Sequence, residues 1–135
     1  KYRMYHDLSP VFKLDSPLDV AAVLIVGVAK VDGEMTQTQK QSILDIFENE
    51  LKQSASSAKS LLASSVHLIG NGQEFFSSPE RSIERAYDNF SPEQVDSIKS
   101  LLKQICYVDG EPSNEQSSYL NRVLKSLPVS KASNW

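Results

Sequence analysis

Val20-Ala21-Ala22-Val23-Leu24-Ile25-Val26-Gly27-Val28-Ala29 is the stretch on which the fold turns. It has no polar face in any register, and it does not alternate as a half-buried strand would. At about half of the ~20 residues that a bilayer-spanning helix needs, it reads as a buried helix rather than a membrane span. Ser16 stands before it as an N-cap, and Pro17 suits the first helical position because its ring presets φ and its missing N–H has no helical partner to lose. The pattern predicts a helix from Ser16 to about Asp32, stopped by Gly33. A helix apolar all round must be enclosed by others, so this one is predicted to be central, with Gly27 permitting one close approach.

Reading outward, helical periods continue and no strand pattern intervenes. Thr36 with Gln39 forms a capping box opening a helix to about Lys52, with Ile43, Ile46, Phe47 and Leu51 as its stripe. The serine-rich stretch from Ser54 keeps a helical period through Ala58, Leu61, Leu62, Val66 and Ile69 up to Gly70 and an Asn71-Gly72 turn. Pro79 opens a shorter helix carrying Ile83, Ala86, Tyr87 and Phe90, preceded by an exposed-looking Phe75-Phe76 pair. Ser91-Pro92 starts a helix that turns Val95, Ile98, Leu101, Leu102, Ile105 and Cys106 inward and ends at Asp109-Gly110. Ser113 with Gln116 caps a last helix burying Tyr119, Leu120, Val123, Leu124 and Leu127. The reading is an all-α single domain, a bundle of six to seven helices over 16–128, with an N-terminal segment 1–15 and a C-terminal tail 129–135 that frays after Ser130.

Composition sets the function classes. The 135 residues, 40% hydrophobic and 23% charged, suit one globular domain with a real core. Fourteen Lys and Arg against seventeen Asp and Glu give a net charge of −3, without the cationic excess that neutralises nucleic-acid phosphates. The single Cys106, with only His6 and His67, makes neither a disulfide framework nor a zinc site. The chain opens at Lys1 rather than Met, so nothing follows from the lack of an export signal at its start.

A repeat organises the chain. A shift of 77 residues lays Val28 to Phe47 over Ile105 to Leu124 and pairs Asp32-Gly33-Glu34 with Asp109-Gly110-Glu111. Thr36 then falls on Ser113, Gln39 on Gln116, Ile43 on Leu120 and Ile46 on Val123. Both copies follow a Ser-Pro helix start. The separation exceeds solenoid periods, which favours two related hairpins bracketing different helices.

With Val28-Ala29-Lys30-Val31-Asp32-Gly33-Glu34 and Tyr107-Val108-Asp109-Gly110-Glu111 in view, the chain resembles the TerB-like (tellurite-resistance protein B) domain family, seen also at the front of certain membrane-anchored DnaJ-type co-chaperones. The resemblance runs from about Ser16 to Leu127 and implies an all-helical fold. It also implies a bacterial role in tellurite and other stress responses, with cation-linked assembly. Members often carry a glutamate seven residues after the aspartate, where this chain has Gln39 and Gln116. That change keeps the capping boxes and lowers the acidic count.

The two Asp-Gly-Glu turns are the main candidate site. An Asp in a helix's final turn faces the negative end of the macrodipole, at a cost of about 0.3–1 kcal/mol, yet the choice occurs twice. In one reading Asp32 and Asp109 accept hydrogen bonds from loop amides or a helix start, while Gly33 and Gly110 supply positive φ. In the other, Asp32, Glu34, Asp109 and Glu111 offer hard oxygen ligands to Ca²⁺ or Mg²⁺. An EF-hand does not fit: with Gly33 or Gly110 at loop position six, Val28 or Ile105 would take position one and Gln39 or Gln116 position twelve. Any cation would keep several waters and bind near millimolar.

The remaining candidates read as structure. His67 is a boundary residue of its helix, Cys106 a small buried thiol, and Phe75, Phe76, Tyr87 and Phe90 either close the bundle's end or form part of a docking patch. No Gly-rich phosphate loop or nucleophile–base pair marks an enzyme. The expectation is a cytoplasmic, non-enzymatic protein of a stress-response complex, with no nucleic-acid partner, no membrane insertion and no cofactor beyond a weak divalent cation. The alternative is a metal-independent module that docks a partner helix or a membrane-associated complex.

Overall fold

The computed structural model describes Leu14 and residues 16–128, and within them every regular element is helical. Helix α1 spans Pro17–Lys30, with Ser16 extended before it and the Ser16 hydroxyl accepting the Asp19 N–H at 3.3 Å. Every residue from Val20 to Ala29 is buried. A helix with no polar side has to be enclosed, and α1 is: α2 (Gln37–Asn49), α3 (Ala55–Ile69), α5 (Pro92–Cys106), α6 (Asn114–Ser126) and a 3₁₀ segment (Pro79–Asn89) pack around it, while the short α4 (Gln73–Ser77) follows α3. Each fully buried Val, Leu or Ile of α1 stabilises the fold by roughly 1.5–3 kcal/mol relative to exposure, so this helix is the largest single contributor to the core.

Local signals set the boundaries. Thr36, Ser91 and Ser113 each close a capping box, with Gln39, Gln94 and Gln116 as the reciprocal partners. The serine-rich stretch is indeed helix α3, capped by Ser54. Its Ala58 and Ser65 are fully buried, and the Ser65 hydroxyl donates to the Leu61 carbonyl at 2.8 Å, so a polar residue enters the core without an unmet bond.

Several expectations need correction. Helices α1, α2 and α5 end at Lys30, Asn49 and Cys106, two to three residues short of the expected stops. In each case the chain is already turning off toward a residue of positive φ, Gly33 after α1, Lys52 after α2 and Gly110 after α5, which a continued helix cannot accommodate. The segment after Pro79 is 3₁₀ rather than α: Pro79, Ser82, Ile83 and Ala86 are buried, while Tyr87 is exposed and not on the core stripe. The Phe75-Phe76 pair lies in α4, half-buried against the core rather than exposed. The segments expected at 1–15 and 129–135, with His6 and the fraying after Ser130, lie outside the described residues, Leu14 excepted.

Candidate functional site

The two acidic turns are built alike. After α1 the Gly33 N–H bonds the Lys30 carbonyl at 3.1 Å, and after α5 the Gly110 N–H bonds the Tyr107 carbonyl at 3.1 Å, the equivalent pair under the 77-residue shift. Gly33 has φ +132° and Gly110 φ +109°, as expected of glycines placed where L side chains rarely go. A methyl at either would meet no atom within 4 Å, so the requirement is conformational, not steric. Because the helices stop early, Asp32 and Asp109 stand in the turns beyond the helix ends and not in a final helical turn, which removes much of the expected macrodipole penalty.

The turns are followed by matching caps. The Thr36 hydroxyl accepts the Gln39 N–H at 3.0 Å while the Gln39 side-chain oxygen accepts the Thr36 N–H at 2.8 Å. Ser113 and Gln116 repeat this at 3.1 and 3.0 Å. The same Thr36 hydroxyl then donates to Asp109 Oδ2 at 2.8 Å, across 73 residues of sequence. That bond joins the second acidic turn to the helix start that follows the first. Asp109 is therefore held, while the Asp32 carboxylate has no such bond among the described residues.

Asp32, Glu34, Asp109 and Glu111 are all exposed. Among the described residues no three His, Cys, Asp or Glu side chains gather as a metal-binding set. The joined turns thus present carboxylates to solvent without forming a closed cage. A cation there would keep most of its water shell.

Two polar residues of α6 do more than the sequence pattern shows, Tyr119 being expected there only as a core residue and Gln116 only as a cap partner. Tyr119, 4% exposed, sends its hydroxyl to the Leu24 carbonyl at 2.9 Å, and burial pushes the phenol well above its ordinary pKa. Its ring occupies the space that Gly27 leaves, since a Cβ there would overlap the phenol and press on Phe75. Gln116 Nε2 donates to the Val28 carbonyl at 3.3 Å, one helical turn further along α1. Phe76 packs edge-on to Tyr119 at 5.5 Å, and Phe75 lies edge-on to Phe76 at 4.9 Å, closing this end of the bundle. Gly27 signalled a close approach; nothing in the sequence named Tyr119 as what approaches.

Arg122 forks onto Glu80 at 2.9 and 3.0 Å and reaches the Ser77 carbonyl at 2.7 Å, tying α6 to the 3₁₀ segment. These bonds hold the Glu80 carboxyl below its ordinary pKa. Cys106 is buried, its thiol pushed up by desolvation, with its sulfur 3.9 Å from the Gln116 carbonyl. A thiol so placed is a poor nucleophile. His67 is exposed in the last turn of α3.

The family model described as tellurite resistance protein TerB matches residues 18–134. The chain belongs to the TerB family. The match takes in α1 from its second residue, both acidic turns and all the helices that enclose α1. Comparison with curated proteins and with solved structures finds no match. For this TerB-family chain, no helix among the described residues is long and apolar enough to cross a membrane.

Proposed function

We propose that this chain is a non-enzymatic, cytoplasmic TerB-family module of a tellurite-resistance or related stress response, and that its joined acidic turns bind Ca²⁺ or Mg²⁺ weakly. The observation that carries the reading is the Thr36–Asp109 hydrogen bond, which draws two turns far apart in sequence to one end of the bundle. Joined turns can offer one ion carboxylates from both sides, with water filling the other positions because no three acids gather among the described residues. The exposure of all four carboxylates accounts for weak binding, because the ion's water shell competes on equal terms.

The test is thermal. With a dissociation constant near 1 mM, 10 mM Ca²⁺ or Mg²⁺ stabilises the fold by about 1.4 kcal/mol through mass action. At roughly 2.1 cal/mol/K per residue, the melting temperature rises by about 5 °C. Monovalent salt at matched ionic strength is the control for general screening. Asp32→Asn with Asp109→Asn removes the divalent-specific rise and leaves the protein folded, since the amide at position 109 still offers Thr36 an acceptor. An equal rise in the double variant would make the turns purely structural.

A further inference from the structure

At the opposite ends of α1 and α2 from the acidic turns, the structure carries a second feature that no part of the cation reading uses. The start of α1, the end of α2 and the start of α5 enclose a notch of about 350 Å³, floored by Leu18, Ala21, Leu51 and Ile98 and rimmed by Glu50 and Glu93. Its floor is apolar, and among the described residues the charged ones that line it are carboxylates. Lys52, the cation of the adjoining lip, does not line it.

Of the three helix ends at the notch, the end of α2 shares that sign, while the starts of α1 and α5 set Asp19 and Glu93 in their first turns against their own positive ends. Helix α2 has no basic residue in its last turn and carries Glu48 there, with Glu50 as its C-cap. The negative end of a helix favours cations, so acidic residues at this end leave the macrodipole uncompensated. The lip is also preformed. The Glu50 and Leu51 N–H groups both bond the Ile46 carbonyl, at 2.8 and 3.0 Å, and the Gln53 N–H reaches back to the Phe47 carbonyl at 3.0 Å. This winds α2 off through Lys52 at φ +58°, a left-handed position usually given to glycine. Gln53 Nε2 then bonds the Leu51 carbonyl at 2.9 Å, fixing the residue that forms part of the floor.

We propose that this notch docks a basic, amphipathic segment of a partner protein: one large apolar side chain seats on Leu18, Leu51 and Ile98, and flanking Lys or Arg side chains answer Glu50, Glu93 and the end of α2. Charge complementarity selects this occupant, since an acidic segment would meet like charge on both rims. A preformed floor lowers the ordering cost of binding. The inference stands apart from the cation site, which lies at the other end of α1.

The experiment uses the whole chain with two synthetic peptides, each holding one central Trp, flanked in one by Lys and in the other by Glu. Amide spectra are followed during titration. The Lys peptide is expected to shift residues 17–21, 50–53 and 93–98, and replacing its Trp by Ser weakens binding several-fold. Glu50→Lys with Glu93→Lys weakens the Lys peptide roughly tenfold and turns preference to the Glu peptide. Both positions are exposed, and Glu50→Gln with Glu93→Gln serves as a milder pair, with an intermediate loss, should reversal at the α5 start disturb folding. Absence of binding, shifts lying elsewhere, or equal affinity of wild type and charge-altered variants for the Lys peptide would overturn the proposal.

Discussion

The hairpin from α1 through α2 and the one from α5 through α6 carry the same local devices: a Ser-Pro start, an Asp-Gly-Glu turn with positive-φ glycine, and a capping box closed by glutamine. They differ in what their second helix does with polar side chains. In α6, Gln116 and Tyr119 reach into α1 at the Val28 and Leu24 carbonyls, and Arg122 grips Glu80. In α2 the equivalent Gln39 bonds, among the described residues, within its cap alone, the place of Tyr119 is held by Ser42, and Asp45 in the place of Arg122 accepts from Gln41 of its own helix at 3.1 Å. Equal local signals therefore build equal turns. The tether to the apolar central helix depends on which side chains fall on the buried face.

The largest expected effect lies where the second hairpin meets α1. Gly27→Ala forces a methyl into the Tyr119 ring and dislodges its bond to Leu24, an overpacking with a lost buried hydrogen bond that costs about 3 kcal/mol and roughly 10 °C in melting temperature. Combined with Tyr119→Phe, the loss is less than the sum of the two, because both act on one contact. Additive losses would break the assignment of Tyr119 to the Gly27 gap.

Next in size is the glutamine pair. Gln39→Ala and Gln116→Ala each lose a capping partner, but the second also loses the bond to Val28, so denaturant unfolding should show it costlier by about 1 kcal/mol. Equal costs would mean that the tether contributes nothing. The glycines reverse the logic. Gly33→Ala and Gly110→Ala are expected to cost about the same, near 1 kcal/mol each, because both need positive φ and both have open space around the added methyl.

The periodic apolar residues, the Ser-Pro starts and the capping boxes made most of this fold legible in the sequence, since each is a local preference that tertiary packing here agrees with. Gly27 even marked the close approach. The 3₁₀ form of Pro79–Asn89 was not legible, because buried Pro79, Ser82, Ile83 and Ala86 fit a tight helix as well as an α-helix. Neither were the bonds from Thr36 to Asp109 or from Tyr119 to Leu24, which join positions 73 and 95 residues apart. The acidic turns stand out by their repetition; only the folded chain reveals that the threonine capping the helix after the first turn joins an aspartate of the second.

The smallest effect concerns the exposed fork between Arg122 and Glu80. Glu80→Gln should cost at most about 1 kcal/mol near neutral pH. Because the folded carboxyl has a lowered pKa, its contribution is present above the ordinary glutamate value of roughly 4.3 and fades as the pH falls through the folded value. Wild type and variant should thus converge in stability below that range, as acid unfolding curves can show.

The central claim is that the two acidic turns act as one cation site. Amide spectra recorded through a Ca²⁺ titration test it most directly, with residues 32–36 and 109–113 read separately. A shared site predicts that both sets shift along one curve with a single midpoint near 1 mM, and that Asp109→Asn weakens the response at both turns together. Two independent midpoints, a response confined to one turn, or none at 10 mM Ca²⁺ would contradict it.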